Sequence, residues 1–280
     1  MRVKSIVNGA ISIVNAIPLG IGSTLGINLK VIAETQFIDG KGIKIDDKYN
    51  NKLINEIVNR IIPKELLENK ALMINISSEI PWGYGLKSSS AVSNALSLAL
   101  TRLIREDFSD LEIINYGIDA SLAANVSITG AFDDAAASYF GGFIVSDNYA
   151  RKIIRQEKCD EYCIIILLPK NITRSDPLKL RSLARLFDEP VRLAKEGNYW
   201  EAMILNGVLV ASILGIPYNP IKDALDEGAI AASVSGNGPA IAVVTNDNNS
   251  NNIAKVLSKY GEIIMSKTNN NKAQVNIYNE

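Results

Sequence analysis

Residues 81–100 read PWGYGLKSSSAVSNALSLAL, and no other stretch restricts the fold so tightly. A strand is expected just before it, over Ala71–Ser77. Gly83 and Gly85 then make a turn, and Ala91–Ile104 carries the apolar pattern of a buried helix. Between turn and helix stand Lys87, Ser88, Ser89 and Ser90. Two readings of that junction stand side by side. Glycines let a backbone approach an anion, and the free N–H groups and dipole of a helix start favour phosphate oxygens. Equally, a serine can cap a helix whose turn needs glycine. The G-x-x-x-x-G-K-[ST] order of a Walker A loop is absent.

Strands are expected over Val3–Val14, near Asn28–Thr35, and over Phe143–Ser146, Tyr162–Leu168 and Ala240–Thr245. Gly20, Gly22 and Gly26 read as a loop, and GIGSTLG lacks the spacing of a dinucleotide loop. Helices are expected over Tyr49–Arg60, stopped by Pro63, and over Leu111–Ala124, Leu178–Phe187, Pro190–Glu196, Trp200–Leu214, Ile221–Glu227 and Ile253–Tyr260. Asn246–Asn252 reads as a solvated loop, and two short strands flank the turn near Asn269. The C-terminal half alternates helices and strands, and there is no internal repeat.

The 280 residues contain no histidine. That excludes Ser-His and Cys-His nucleophile pairs, His-liganded metals and imidazole acid–base chemistry. Cys159 and Cys163 read as packed, reduced thiols of a cytoplasmic protein. A net charge of -1 gives no basic footprint for nucleic acid. The basic, apolar start resembles a signal peptide, but Asn8, Gly9 and Asn15 interrupt it. No apolar run is long enough to span a membrane. The oligomeric state, monomer or homodimer, stays open.

Two further stretches carry chemistry. ITGAFDDAAASYFGG sets Asp133 and Asp134 among small apolar residues, where an unpaired carboxylate is costly. Adjacent helical residues do not share a face, so one of the two is expected to point at a site. Both also suit a helix start electrostatically. SVSGNGPAIAVV puts Ser235, Gly236, Gly238 and Pro239 in a tight turn before a strand, a pattern that many turns share.

In this order the three stretches resemble the GHMP small-molecule kinases. Pro81, Gly85, Leu86, Ser88 and Ser89 match their P-x-x-x-G-L-x-S-S pattern, and SGNGP matches their C-terminal glycine motif. Within that superfamily, GLKSSSA, TGAFDDAxASxFGG and the opening NGAISIVNAIPLGIGSTLGINL resemble the archaeal-type shikimate kinases. The resemblance implies an α+β, GHMP kinase fold. A ribosomal S5 domain 2-like N-terminal domain would occupy residues 1–155 and a ferredoxin-like C-terminal domain residues 156–280, with the site between them. It implies phosphorylation of the 3-hydroxyl of shikimate by ATP with Mg2+. Pro81, Gly83, Tyr84, Gly85, Leu86, Lys87, Ser88, Ser89 and Ser90 would wrap the triphosphate, supported by Gly236 and Gly238. Ser89 would bind the metal, and Asp134 would receive the hydroxyl proton, with Asp133 in reserve. Phosphoryl transfer needs positioning and charge neutralisation, which a chain without histidine can supply.

The chain departs twice from the pattern it resembles. Several place a magnesium-binding glutamate about eleven residues before the aspartate, where this chain has Ala123, with Asp119 one turn earlier. Some carry a lysine in the first motif, where this chain has Asn8, Gly9 and Ala10, which leaves Lys87 as the replacement. Shikimate's carboxylate calls for a cation, with Arg174, Arg181 and Arg185 as candidates. Ser12, Asn15 and Asn206 are candidate substrate contacts. The alternatives are a homoserine or mevalonate-type kinase, and a silent ATP- or metabolite-binding sensor.

Overall fold

The computed structural model describes residues 1–45, 51–104, 107–170 and 175–279. Two long antiparallel strands organise it: β1 (Arg2–Val14) and β2 (Ile21–Asp39). Their β-branched, largely buried residues suit a pleated surface covered by other layers. β4 (Lys70–Ser78) pairs with β2, and β3 (Gly42–Ile45) runs parallel to β4. Helices α1 (Asn51–Ile61) and α2 (Lys64–Asn69) connect those two strands. The first part of β2 also pairs with β5 (Phe143–Asp147), which pairs with β6 (Lys152–Glu157).

The region expected to be a glycine loop is therefore mostly strand. Gly22 and Gly26 lie within β2 because helix α5 (Phe132–Phe140) and its flanks press on them. A Cβ at Gly22 would fall 2.2 Å from Asp133 Oδ2, and one at Gly26 would fall 2.9 Å from the Asn269 carbonyl. Glycine serves close approach here, with no turn.

Helix α3 (Ser88–Leu103) is buried along most of its length, between the sheet and α4 (Asp110–Ala123). Helix α4 opens with a capping box between Ser109 and Glu112. The second sheet is antiparallel throughout, in the order β10 (Gly261–Lys267), β7 (Cys163–Pro169), β9 (Ile241–Thr245), β8 (Ala231–Val234). That is the ferredoxin-like order. Around it lie a 3₁₀ segment (Pro177–Phe187), α6 (Asp188–Glu196), α7 (Tyr199–Leu214), α8 (Asn219–Asp226) and α9 (Asp247–Leu257).

The asparagine-rich stretch after β9 is helical from Asp247, against the expected loop. Buried Ser250, Ile253 and Leu257 anchor it, so tertiary packing outweighs the poor helix propensity of asparagine. β3, α2 and β6 are elements beyond those expected from the sequence. The last strand, β11 (Gln274–Tyr278), returns to pair with β1, so the first sheet takes strands from both ends of the chain. One hydrophobic cluster runs through both sheets, joining Val7 and Leu25 to Ile164 and Val244.

Candidate active site

Four separated segments line a cavity of about 510 Å³: residues 12–17, 83–90, 121–134 and 236–238. Hydrogen bonds across more than a hundred residues hold it together. Asn15 Nδ2 donates to the Gly236 carbonyl at 3.0 Å and to Asn237 Oδ1 at 3.0 Å. The Gly236 amide donates to Ser12 Oγ at 3.0 Å. Ser235 Oγ donates to the Gly85 carbonyl at 2.8 Å, and the Ala240 amide to the Tyr84 carbonyl at 3.1 Å. The glycine turn thus closes on the phosphate-type loop. Gly85 has φ 79° and no room for a side chain, since a Cβ there would lie 2.1 Å from the Ser235 carbonyl.

Helix α3 starts without a side-chain cap. Its N-cap is Lys87, with φ 64° and no cap hydrogen bond, so the serine-cap reading of this junction fails. Ser88, Ser89 and Ser90 line the cavity beside that uncapped start. Helix α5 also begins from a non-glycine residue in the left-handed region, Ala131, at φ 52°. Left-handed backbone costs an L-residue about 1 kcal/mol or more and recurs at functional sites.

Lys87 Nζ lies 3.0 Å from Asp134 Oδ1, with both side chains largely buried. Gly236 leaves space for that ammonium, for a Cβ there would come within 3.0 Å of Nζ. Asp133 and Asp134 both line the cavity, although neighbours on a helix were expected to diverge. In the first turn of α5 both carboxylates reach Thr24 Oγ1, Asp133 through Oδ2 and Asp134 through Oδ1, at 3.2 Å each. Asp133 Oδ1 accepts from Asn148 Nδ2 at 2.7 Å, and its amide donates to Asn148 Oδ1 at 3.0 Å. Burial, then the charge of Asp134, push the Asp133 carboxyl up to about 6, against the opposing effects of Lys87 and the Asn148 amide.

The structure sorts the remaining candidates. Ser12, Asn15, Gly83, Leu86 and Gly238 line the cavity, whereas Pro81 and Tyr84 do not. Asn206 is fully buried and stands behind the site. Its Oδ1 accepts from the Asn15 amide at 2.9 Å, so it orients Asn15 and is closed to a substrate. Asp119 is paired with Arg151 and is not among the residues that line the cavity. Arg181 reaches the Ile17 carbonyl and the Tyr149 hydroxyl. Arg174 lies outside the described residues.

Sequence reasoning missed Thr24, Asn148 and the lining segment 125–130. Thr24 sits in GIGSTLG, whose glycines drew the reading towards a loop. In the strand that forms, Thr24 is fully buried, and a buried hydroxyl needs a partner.

The described residues contain no cluster of three or more carboxylate, histidine or cysteine groups that could cage a metal. The hydroxyls of Ser88, Ser89 and Ser90 on the cavity wall are oxygen donors, which suit a hard cation arriving with a phosphate.

The family description "GHMP kinases N terminal domain" matches residues 52–142. The shikimate kinase of Methanobrevibacter smithii is 38% identical over 277 residues, covering 94% of this chain and 95% of that one. The shikimate kinase of Thermococcus kodakarensis is 34% identical, covering 92% and 96%. Among solved structures, mevalonate kinase from L. major in complex with R-mevalonate superposes with a TM-score of 0.77 at 16% identity, covering 95% and 96%. Homoserine kinase from Cytophaga hutchinsonii does so with a TM-score of 0.70 at 18% identity, covering 98% and 97%. Those two likenesses concern the fold alone. The extent of the sequence matches places the chain in a family: it belongs to the shikimate kinases built on the GHMP kinase fold.

Proposed function

We propose that this chain transfers the γ-phosphoryl group of ATP to the 3-hydroxyl of shikimate, releasing ADP and shikimate 3-phosphate. One structural observation carries the mechanism: the uncapped start of α3 and the Asp134 carboxylate share one cavity, with Lys87 between them.

The amides at Ser88–Ser90 and the glycine backbone at Gly83 and Gly85 hold the phosphates, since unsatisfied N–H groups at a helix start favour anions. Gly236 and Gly238 close the loop from the other side. Asp134 accepts the proton of the shikimate hydroxyl as its oxygen bonds to phosphorus and the bond to the ADP oxygen breaks. Lys87 holds Asp134 in place and adds positive charge near the transferring group. Ser89 is the residue that would hold Mg2+, which neutralises phosphate charge when bound with the nucleotide. Ser12 and Asn15, which line the cavity, are the candidate contacts for shikimate. The free, buried thiols of Cys159 and Cys163 suit a reducing cytoplasm.

A coupled ADP-release assay with ATP and Mg2+, run against shikimate, homoserine and mevalonate, tests the reading. Release with shikimate alone is expected. Release with homoserine or mevalonate in its place would reassign the acceptor, and nucleotide binding without release would favour the silent sensor.

A further inference from the structure

Thr24 has one hydroxyl proton and two carboxylate neighbours. Its Oγ1 stands 3.2 Å from Asp133 Oδ2 and 3.2 Å from Asp134 Oδ1. It donates to one of them at a time. The other contact sets an oxygen lone pair against a carboxylate oxygen, a repulsion that weakens when that carboxyl becomes neutral. The hydroxyl's position is well defined. β2 is paired on both sides at Thr24, with Ser12 of β1 and Ile144 of β5. A β-branched side chain on such a strand has restricted χ1 freedom.

The surroundings differ at the two ends. Asp134 Oδ1 also receives the Lys87 ammonium at 3.0 Å. Asp133 Oδ1 receives the Asn148 amide at 2.7 Å, while its Oδ2 meets Thr24 and the space left by Gly22. The charged groups acting on Asp133 are Asp134 and Lys87.

We infer that Thr24 is a positioning residue for the phosphoryl-transfer step, acting as a reversible donor between the two aspartates. Before transfer its proton lies on Asp134 Oδ1 and, with Lys87, fixes that carboxylate with Oδ2 free for the acceptor. As the acceptor O–H breaks and the new O–H forms on Asp134, that carboxyl becomes neutral and a poorer acceptor. Thr24 then turns its own proton to Asp133, the remaining anion. No proton crosses Thr24, and no further reactant is needed. The inference rests on Asp134 being the proton acceptor.

The test is steady-state kinetics with ATP, Mg2+ and shikimate on the full chain, comparing Thr24→Val, Thr24→Ala, Thr24→Ser and Asp134→Asn. Thr24→Val preserves the shape and removes the donor. Thr24→Ala removes it without pressing a second methyl against the carboxylates, and so serves if the valine variant fails to fold. The expected result is a fall in kcat of about tenfold or more in both, from the loss of a charge-assisted hydrogen bond, with both KM values nearly unchanged. Thr24→Ser is expected to recover most of the rate. A kcat for the valine or alanine variant close to wild type, with Asp134→Asn inactive, would overturn the role of Thr24 alone. A serine variant as slow as the alanine one would also overturn it, because packing would then explain the loss. An active Asp134→Asn would overturn the assignment of the base itself, and the role of Thr24 with it.

Discussion

Lys87 Nζ and Asp134 Oδ1 lie 3.0 Å apart, joining the start of α3 to the start of α5. The sequence separates these residues by a whole helical hairpin. The pair needs Lys87 in the left-handed region and the glycine at 236 beside it. A buried ion pair gives little net stability by itself, and losing one partner leaves the other uncompensated. Its value is therefore expected in the reaction.

Asp134→Asn should lower kcat by about a thousandfold, within the range for loss of a general base, while ATP binding stays near wild type. Single-turnover kinetics and a nucleotide-binding titration check both halves. Full activity would remove Asp134 from the mechanism.

The Asp133 carboxyl, raised to about 6 by burial and by Asp134, makes stability depend on pH. Its folded pKa exceeds its unfolded value, so the folded state binds the proton more tightly. The stabilisation is complete below about 4, the unfolded pKa, and is lost as pH rises through about 6. Asp133→Asn keeps acceptors and donors for Asn148 and Thr24 without the charge. Its Tm should exceed that of wild type by several degrees at pH 8, and the gap should close on acidification. A gap that is constant with pH would rule out titration of this buried carboxyl.

Gly85→Ala should cost about 2 kcal/mol or more, because φ is 79° and the new Cβ would meet the Ser235 carbonyl at 2.1 Å. The KM for ATP should rise with it, since the same contact sets the phosphate loop. Urea denaturation and ATP titration read the two effects. A stable variant with normal ATP affinity would show that the loop and the glycine turn do not need this contact.

Ser89→Ala should raise the Mg2+ concentration needed for half-maximal rate several-fold and spare the KM for shikimate. A metal titration at saturating ATP decides it. An unchanged metal requirement would move the ligand to Ser88 or Ser90.

The sequence by itself determined the chemistry available. With no histidine, imidazole chemistry was excluded, and the glycine–serine loop left phosphate binding as one of two local readings. Phosphoryl transfer was implied by the resemblance that this loop, AFDD and SGNGP carry together, and most long elements followed their periodicity. The ferredoxin-like half was implied by the family resemblance, and its strand order is visible only in the pairing of β7, β8, β9 and β10.

Tertiary structure alone decided the wiring. Nothing local in the chain announces that Thr24 meets Asp133 and Asp134, that Asn206 holds Asn15, or that Arg151 pairs with Asp119. The same is true of Gly22 and Gly26, whose missing side chains serve the approach of α5 and its flanks to β2, and of β11, which closes on β1. The reason is physical. Periodicity reports which face of an element is buried. A hydrogen bond between distant residues depends on how those faces meet, and that is fixed only when the whole core packs.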